Sequence, residues 1–156
     1  MHHFAYRNGV MHCEDVSLEA IARDIGTPTY VYSDATLRRH YAVLAEAFAN
    51  RDVLIAYAVK ANSNIGVLAT LASVGAGADV VSGGEMLRAL EAGIPANRIV
   101  FSGVAKTVEE MKLGLERGIH QFNVESMPEL LRLSRVAKEM GKRAPIAFRV
   151  NPHVEA

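Results

Sequence analysis

Residues 53–62 are the most informative run of the sequence: Val53-Leu54-Ile55-Ala56-Tyr57-Ala58-Val59-Lys60-Ala61-Asn62. From Val53 to Val59 no polar residues alternate with the apolar ones. A strand here would therefore have two apolar faces, which is typical of a parallel sheet covered by helices. Lys60 ends the run, where enzymes built on barrels and open parallel sheets keep their chemistry. A desolvated lysine at this point can act as an amine nucleophile toward a carbonyl, whereas the alternative is a lysine whose head lies in solvent.

The composition is that of an ordinary globular protein, with 50% hydrophobic and 22% charged residues among 156. Seventeen basic residues balance seventeen acidic ones, so no charge pattern favours binding to nucleic acid or to an anionic membrane. Cys13 is the single cysteine, which excludes a disulfide within this sequence. No apolar run reaches the roughly 18 residues of a membrane span, and the first residues lack a signal-peptide pattern. We therefore expect a cytoplasmic protein.

Residues 1–34 differ in pattern from the rest. Asn8-Gly9 separates two short runs of β-formers and predicts a hairpin, because both positions tolerate a positive φ. Ser17 can cap a short helix that ends at Gly26. Thr29-Tyr30-Val31-Tyr32 predicts a further strand.

The remaining sequence alternates strands with helices. An amphipathic helix is predicted over 35–50. Strand-like runs follow at 53–60, 78–81, 99–102, 121–124 and 146–150. Three of the intervening helices begin with a capping-box pattern, at Ser82-x-x-Glu85, Thr107-x-x-Glu110 and Ser126-x-x-Glu129. One strand and one helix every 20 to 25 residues or so is the rhythm of an α/β protein with a parallel sheet.

A doubly wound sheet and a (β/α)₈ TIM-type barrel share this rhythm. A dinucleotide-binding sheet carries G-x-G-x-x-G after its first strand, yet Lys60-Ala61-Asn62 stands there. The Gly75-x-Gly77 pair is followed by Val80 where the third glycine belongs. These differences favour the barrel, whose usual length is about 250 residues. With five predicted strands, residues 35–156 are expected to be the first part of such a barrel in a longer protein.

Five segments, in order and in register, resemble the fold-type III pyridoxal-phosphate decarboxylases, and among them the branch that acts on diaminopimelate. The matching segments cover nearly the whole sequence: Tyr57-Ala58-Val59-Lys60-Ala61-Asn62, residues 77–85, residues 99–107, Phe122-Asn123-Val124-Glu125-Ser126 and Arg149-Val150-Asn151-Pro152. The resemblance implies that residues 1–34 contribute to a second, β-rich domain. It also implies a homodimer that acts on a small amino acid.

The same resemblance implies that Lys60 carries pyridoxal 5′-phosphate as an internal aldimine. Asp79, one strand later, is expected near the Lys60 amine, where it would favour a protonated Schiff base; its alternative role is an acid that caps a loop. Arg149 matches an arginine that the family places near the cofactor ring. Its alternative role is that of a structural arginine in a polar layer of the barrel. The implied reaction is the decarboxylation of meso-diaminopimelate to L-lysine and carbon dioxide.

Other polar residues are interpreted as structural. Glu85 and Glu129 are expected in capping boxes rather than as catalysts, and Lys106 at the start of a helix rather than facing the site. The histidines are expected in solvated or structural positions. No cysteine and histidine spacing suggests a metal site. The family's phosphate loop and proton donor are expected beyond Ala156.

Several alternatives stay open. The protein can be an ornithine or arginine decarboxylase, since these share the lysine strand. It can be a non-catalytic pyridoxal-phosphate-binding barrel, although residues 1–34 argue against that class. A truncated homologue acting as a binding module and an alanine racemase are the remaining possibilities.

Overall fold

The computed structural model describes residues 2–152, which form parts of two compact units, Met1–Asp52 and Val53–Ala156. The predicted division after residue 34 remains a prediction. The last residues of the predicted 35–156 segment, 153–156, lie outside the described residues.

The first unit contains a small antiparallel sheet. Strands β1 (Phe4–Arg7), β2 (Val10–Cys13) and β3 (Val16–Ser17) lie in that order. Asn8 and Gly9 turn between the first two with φ values of 50° and 81°, which confirms the predicted hairpin. Helix α1 (Leu18–Asp24) follows, and the Ser17 side chain accepts a hydrogen bond from the Ala20 amide as the predicted cap.

Helix α2 (Asp34–Ala47) starts at a polar junction inside the same unit. The Ser33 hydroxyl caps the Thr36 amide and donates to Oε1 of Glu14 over 2.7 Å. The Ala35 amide donates to the same carboxylate oxygen over 3.0 Å. These two hydrogen bonds, the Ala35 bond first, lower the pKa of Glu14. The helix predicted over 35–50 therefore exists, but it ends three residues early at the Phe48 C-cap.

The strand predicted over Thr29–Tyr32 is wrong, because no strand forms there. Tyr30 is 91% exposed and Tyr32 51% exposed. Aromatic and β-branched residues favour strands only where a neighbouring strand and a buried face reward them. The three-stranded sheet of this unit ends at β3 and offers this segment no such pairing.

The second unit is a parallel sheet covered by helices. Its five strands lie in chain order: β4 (Ala56–Ala58), β5 (Gly77–Val80), β6 (Ile99–Phe101), β7 (Gln121–Val124) and β8 (Ile146–Phe148). Its helices are α3 (Ile65–Ser73), α4 (Gly83–Glu91), α5 (Val108–Arg117) and α6 (Met127–Glu139). This sequential order of parallel strands confirms the predicted α/β repeat of a (β/α)₈ barrel over its first five strands.

Strands β4, β6 and β8 are shorter than predicted, most of all β4, whereas β7 matches its predicted bounds and β5 begins and ends one residue early. The run predicted over 53–60 pairs with β5 only at Ala56–Ala58, and a 3₁₀ turn follows over Val59–Ala61. Lys60 therefore lies in the turn beyond the strand rather than at its last position. Val53 is 44% exposed, since it precedes the paired region.

The two faces of this sheet differ. One face, under the helices, carries the buried residues Ala78, Val80, Ile99, Phe101, Phe122 and Val124. Met86, Met111 and Leu133 pack on it from the helices. The opposite face carries part-buried polar side chains, which are described below. Between residues 2 and 152, no helix has both the length and the apolar character needed to cross a membrane.

Candidate functional site

The carboxyl ends of β4 to β8 lie along one edge of the sheet, because all five strands are parallel. Each of the strands β4 to β7 is followed there by a turn or by a loop that leads into a helix. We call this edge the rim. The sequence-predicted site residues Lys60, Asp79 and Arg149 all belong to the strands or loops of the rim.

Lys60 is exposed at the rim, in the 3₁₀ turn after β4. Among the described residues, none forms an ion pair or a hydrogen bond with its Nζ. Val59, directly before it, is fully buried and fixes the turn to the core. The lysine is thus a solvent-accessible amine on an anchored backbone, open to an aldehyde, and its head lies in solvent rather than being desolvated by the described residues.

Asp79 lies on the neighbouring strand β5, opposite Ala58 of β4. Its side chain is on the polar face, because its neighbours Ala78 and Val80 point into the helix-covered core. Oδ1 of Asp79 accepts a 2.5 Å hydrogen bond from the Ser102 hydroxyl. Asp79 and Lys60 form no direct ion pair.

A chain of polar side chains continues from Asp79 across the sheet. Asn123 of β7 donates from Nδ2 to the Ser102 hydroxyl over 3.0 Å. Gln121, two positions earlier on β7, donates from Nε2 to Asn123 Oδ1 over 2.8 Å. Sequence reasoning missed this chain, since Ser102 and Asn123 were treated only as parts of strands.

Arg149 follows β8, and its side chain is 60% exposed. Its Nη1 lies 3.1 Å from Glu125 Oε2 and 3.3 Å from Oε1, while Glu125 itself is 8% exposed. The Gly103 amide also donates to Glu125 Oε1, over 3.0 Å. Glu125 therefore ties the guanidinium of Arg149 to the loop that follows β6.

Lys106 does more than begin a helix, which corrects that expectation. Its Nζ is completely buried and donates to Glu129 Oε1, to the Gly103 carbonyl and to the Asn123 carbonyl, each over 2.7 Å. The Phe101 ring lies 5.5 Å away. With three donors satisfied, Lys106 is a structural cation that joins the ends of β6 and β7.

The predicted capping boxes are realised in two ways. Thr107 and Glu110 form a complete box, with each side chain bonded to the other residue's amide. Ser82 and Ser126 cap their helices, but Glu85 and Glu129 accept from the amides of Val81 and Glu125, one residue before the N-cap. This one-residue shift brings the Glu129 carboxylate to Lys106.

Glu110 also connects two loops of the rim. Its Oε1 accepts from the Gly83 amide over 2.7 Å, and its Oε2 accepts from the Thr107 amide over 2.9 Å. Burial raises the pKa of Glu110, but the hydrogen bonds from Gly83 and Thr107 outweigh it, and the net pKa is lowered. The start of α4 therefore depends on a carboxylate from α5.

Known sequences and structures resemble this chain over nearly its whole length. A diaminopimelate decarboxylase of Pseudomonas fluorescens is 55% identical over 98% of the chain and 37% of its own length. One of Haemophilus influenzae is 51% identical over 100% of the chain and 38% of its own length. The chain thus spans little more than a third of these relatives.

Solved structures agree. The crystal structure of diaminopimelate decarboxylase from M. jannaschii superposes with a TM-score of 0.93 at 38% identity, over 98% of this chain and 37% of that one. A lysine/ornithine decarboxylase from Vibrio vulnificus, at 24% identity and a TM-score of 0.74 over 85% of this chain and 35% of that one, shares the fold. A family model described as pyridoxal-dependent decarboxylase, pyridoxal binding domain, matches residues 34–156. The chain therefore belongs to the pyridoxal-dependent decarboxylase family.

Proposed function

We propose that the protein at its native length is a pyridoxal 5′-phosphate-dependent decarboxylase that converts meso-diaminopimelate to L-lysine and carbon dioxide. The observation that carries the proposal is Lys60, an exposed amine at the rim of the matched domain that no described residue neutralises. Relatives at 51% and 55% identity that are diaminopimelate decarboxylases support the choice of substrate. A M. jannaschii diaminopimelate decarboxylase solved with L-lysine supports the choice of product.

The chemistry of the side chains on the rim fits this cofactor. A primary amine bonds covalently to an aldehyde carbon, and Lys60 supplies one. Asp79 supplies a carboxylate on the adjacent strand, and Arg149 supplies a cation with an exposed side chain. We propose Lys60 as the catalytic residue, and Lys60, Asp79 and Arg149 as the residues that bind the cofactor.

Pyridoxal phosphate, when bound, supplies the electron sink that decarboxylation of an amino acid requires. Lys60 holds the cofactor at a fixed place on the sheet, because its backbone is anchored by the buried Val59. The Asp79 carboxylate favours a positive charge on a nitrogen that comes near it. Arg149 contributes a guanidinium at the end of β8, where the Glu125 carboxylate holds it and balances its charge.

The remaining features of the proposal concern the whole protein. Residues 1–34 are proposed as the first part of a second, β-rich domain, and residues 35–156 as the first part of the barrel. The protein is proposed to be a cytoplasmic homodimer. Measuring the native length of the protein tests the domain organisation. Light scattering of the purified protein tests whether it is a dimer.

The activity is tested with the purified protein at its native length. With pyridoxal phosphate and meso-diaminopimelate we expect release of carbon dioxide and L-lysine in equal amounts. Ornithine and arginine in place of diaminopimelate are expected to give far less product. Lys60→Ala is expected to abolish turnover, whereas Lys112→Ala, which removes another exposed lysine from α5, should leave it unchanged.

Two results would contradict the proposal. Preferential turnover of ornithine or arginine would move the protein to another branch of the family. Binding of pyridoxal phosphate at Lys60 without release of carbon dioxide from any of the three amino acids would identify a non-catalytic cofactor-binding barrel.

A further inference from the structure

The polar chain that ends at Asp79 has a direction. Gln121 donates to Asn123 Oδ1, which places the amide oxygen of Asn123 toward Gln121 and its Nδ2 toward Ser102. Ser102 accepts from Nδ2, and its own hydroxyl has one proton to give. That proton lies between Ser102 Oγ and Asp79 Oδ1, which are 2.5 Å apart. Every donor in the chain therefore points toward the Asp79 carboxylate.

This row of hydrogen-bonded side chains occupies only one of the two carboxylate oxygens of Asp79. Within residues 2–152, no group donates a hydrogen bond to Oδ2. Asp79 is opposite Ala58, and Lys60 lies two positions after Ala58, in the 3₁₀ turn beyond β4. A carboxylate held through Oδ1 has a fixed plane, so Oδ2 stays in one place rather than rotating about χ2.

The hydrogen-bonded polar side chains are not part of the hydrophobic core. The core lies on the opposite face, where Phe101 and Phe122 flank Ser102 and Asn123 in sequence. Side chains of Ser102, Asn123 and Gln121 are part-buried, and burying polar groups costs free energy that apolar residues would not cost. Their alignment toward one carboxylate is the arrangement expected of groups that support a site.

We infer that Ser102, oriented by Asn123, is a positioning residue that holds the Asp79 carboxylate in the orientation in which Oδ2 meets the positively charged nitrogen joining Lys60 to pyridoxal phosphate. This inference rests on the proposed role of Lys60. Ser102 and Asn123 therefore affect the affinity for the cofactor only through Asp79.

The test measures the dissociation constant of pyridoxal phosphate by equilibrium dialysis, with the protein at its native length. Ser102→Ala is expected to raise the dissociation constant by about tenfold, the usual effect of losing a hydrogen bond to a charged group. Ser102→Thr keeps the hydroxyl and is expected to stay within about twofold of the wild type. Ser134→Ala removes an exposed serine of α6 and serves as the matched control.

A double-mutant cycle separates positioning from a general structural role. In an Asp79→Ala background, Ser102→Ala is expected to change the dissociation constant by less than about twofold, because the carboxylate it orients is gone. Asn123→Asp is nearly isosteric but cannot donate to Ser102, so it draws the hydroxyl proton away from Asp79. We expect it to weaken binding by about as much as Ser102→Ala.

Borohydride trapping on Lys60 in the wild type shows whether the proposed function holds. If trapping occurs and Ser102→Ala and Asn123→Asp bind the cofactor as the wild type does, the positioning role is wrong and the proposed function stands. Equal effects of Ser102→Ala with and without Asp79 would also overturn it. If the wild type gives no adduct at Lys60, the proposed function and the positioning role of Ser102 are both wrong. Should Ser102→Ala not fold, Asn123→Asp and Ser102→Thr decide the question.

Discussion

At the scale of single residues, Lys106 shows how a charged side chain can be structural rather than catalytic. Its ammonium group is surrounded by one carboxylate and two carbonyl oxygens, so it carries no free donor. Lys60, by contrast, has an exposed side chain without a partner among the described residues. The two lysines on the same rim therefore have different chemistry, which their surroundings determine.

Removing the ammonium of Lys106 should be strongly destabilising. Lys106→Ala leaves the Glu129 carboxylate buried without its counter-ion, which costs about 3–5 kcal/mol. Arg23→Ala, which breaks the exposed pair with Asp24, should cost at most about 1 kcal/mol. Urea unfolding of the protein at its native length measures both values, and similar small losses for the two variants would contradict the account.

Two helical glycines provide a second comparison at this scale. A Cβ on Gly114 of α5 would lie 2.7 Å from Phe122 Cζ and 3.1 Å from Ile119 Cδ1, both in the core. Gly114→Ala should therefore lower stability by about 1–3 kcal/mol despite the better helix propensity of alanine. Gly84→Ala, where the nearest atom is Ser82 Oγ at 3.8 Å, should raise it by up to about 1 kcal/mol. Thermal unfolding distinguishes the two, and equal shifts would refute the packing around Gly114.

At the scale of helices and strands, the starts of α4, α5 and α6 depend on carboxylates, whereas α3 is capped by the amide oxygen of Asn64. Glu110 binds the amides of both Gly83 and Thr107, so it stabilises the first turns of α4 and α5 together. Because its pKa is lowered in the folded protein, the carboxylate contributes stability above the unfolded-state pKa of a glutamate, about 4.3. That contribution is lost as the pH falls through the lowered pKa.

Glu110→Gln should remove this pH dependence. At neutral pH the variant should lose about 1 kcal/mol of stability, as for loss of a helix cap. The difference from the wild type should narrow as the pH falls below about 4.3 and the wild-type carboxylate takes up a proton. Urea unfolding between neutral and acidic pH checks this, and a gap that stays constant with pH would contradict the assignment.

The elements themselves could be predicted where the pattern is local. The Asn8-Gly9 turn, the serine and threonine caps and the five strands are signals carried by a few adjacent residues. The predicted strand at Thr29–Tyr32 failed because strand formation also needs a partner, which is a property of the fold. Pairs such as Lys106 with Glu129 and Asp79 with Ser102 escaped prediction because their members lie 23 positions apart.

At the scale of the whole molecule, the parallel order of the sheet places the proposed site residues along one edge. Lys60, Asp79 and Arg149 are far apart in sequence, yet their strands end on one rim. The parallel sheet and the location of Lys60 at its carboxyl edge were therefore predictable from the βα repeat together with the family resemblance, whereas the 3₁₀ turn that holds Lys60 was not. How Arg149 is held was not, because its partner Glu125 was treated only as part of a matching segment.

Borohydride reduction of the purified protein at its native length tests directly whether Lys60 holds the cofactor. After proteolysis and mass analysis, we expect a single phosphopyridoxyl group on the peptide that contains Lys60, and none in Lys60→Arg. An adduct on another lysine, or no adduct in the wild type loaded with pyridoxal phosphate, would contradict the account.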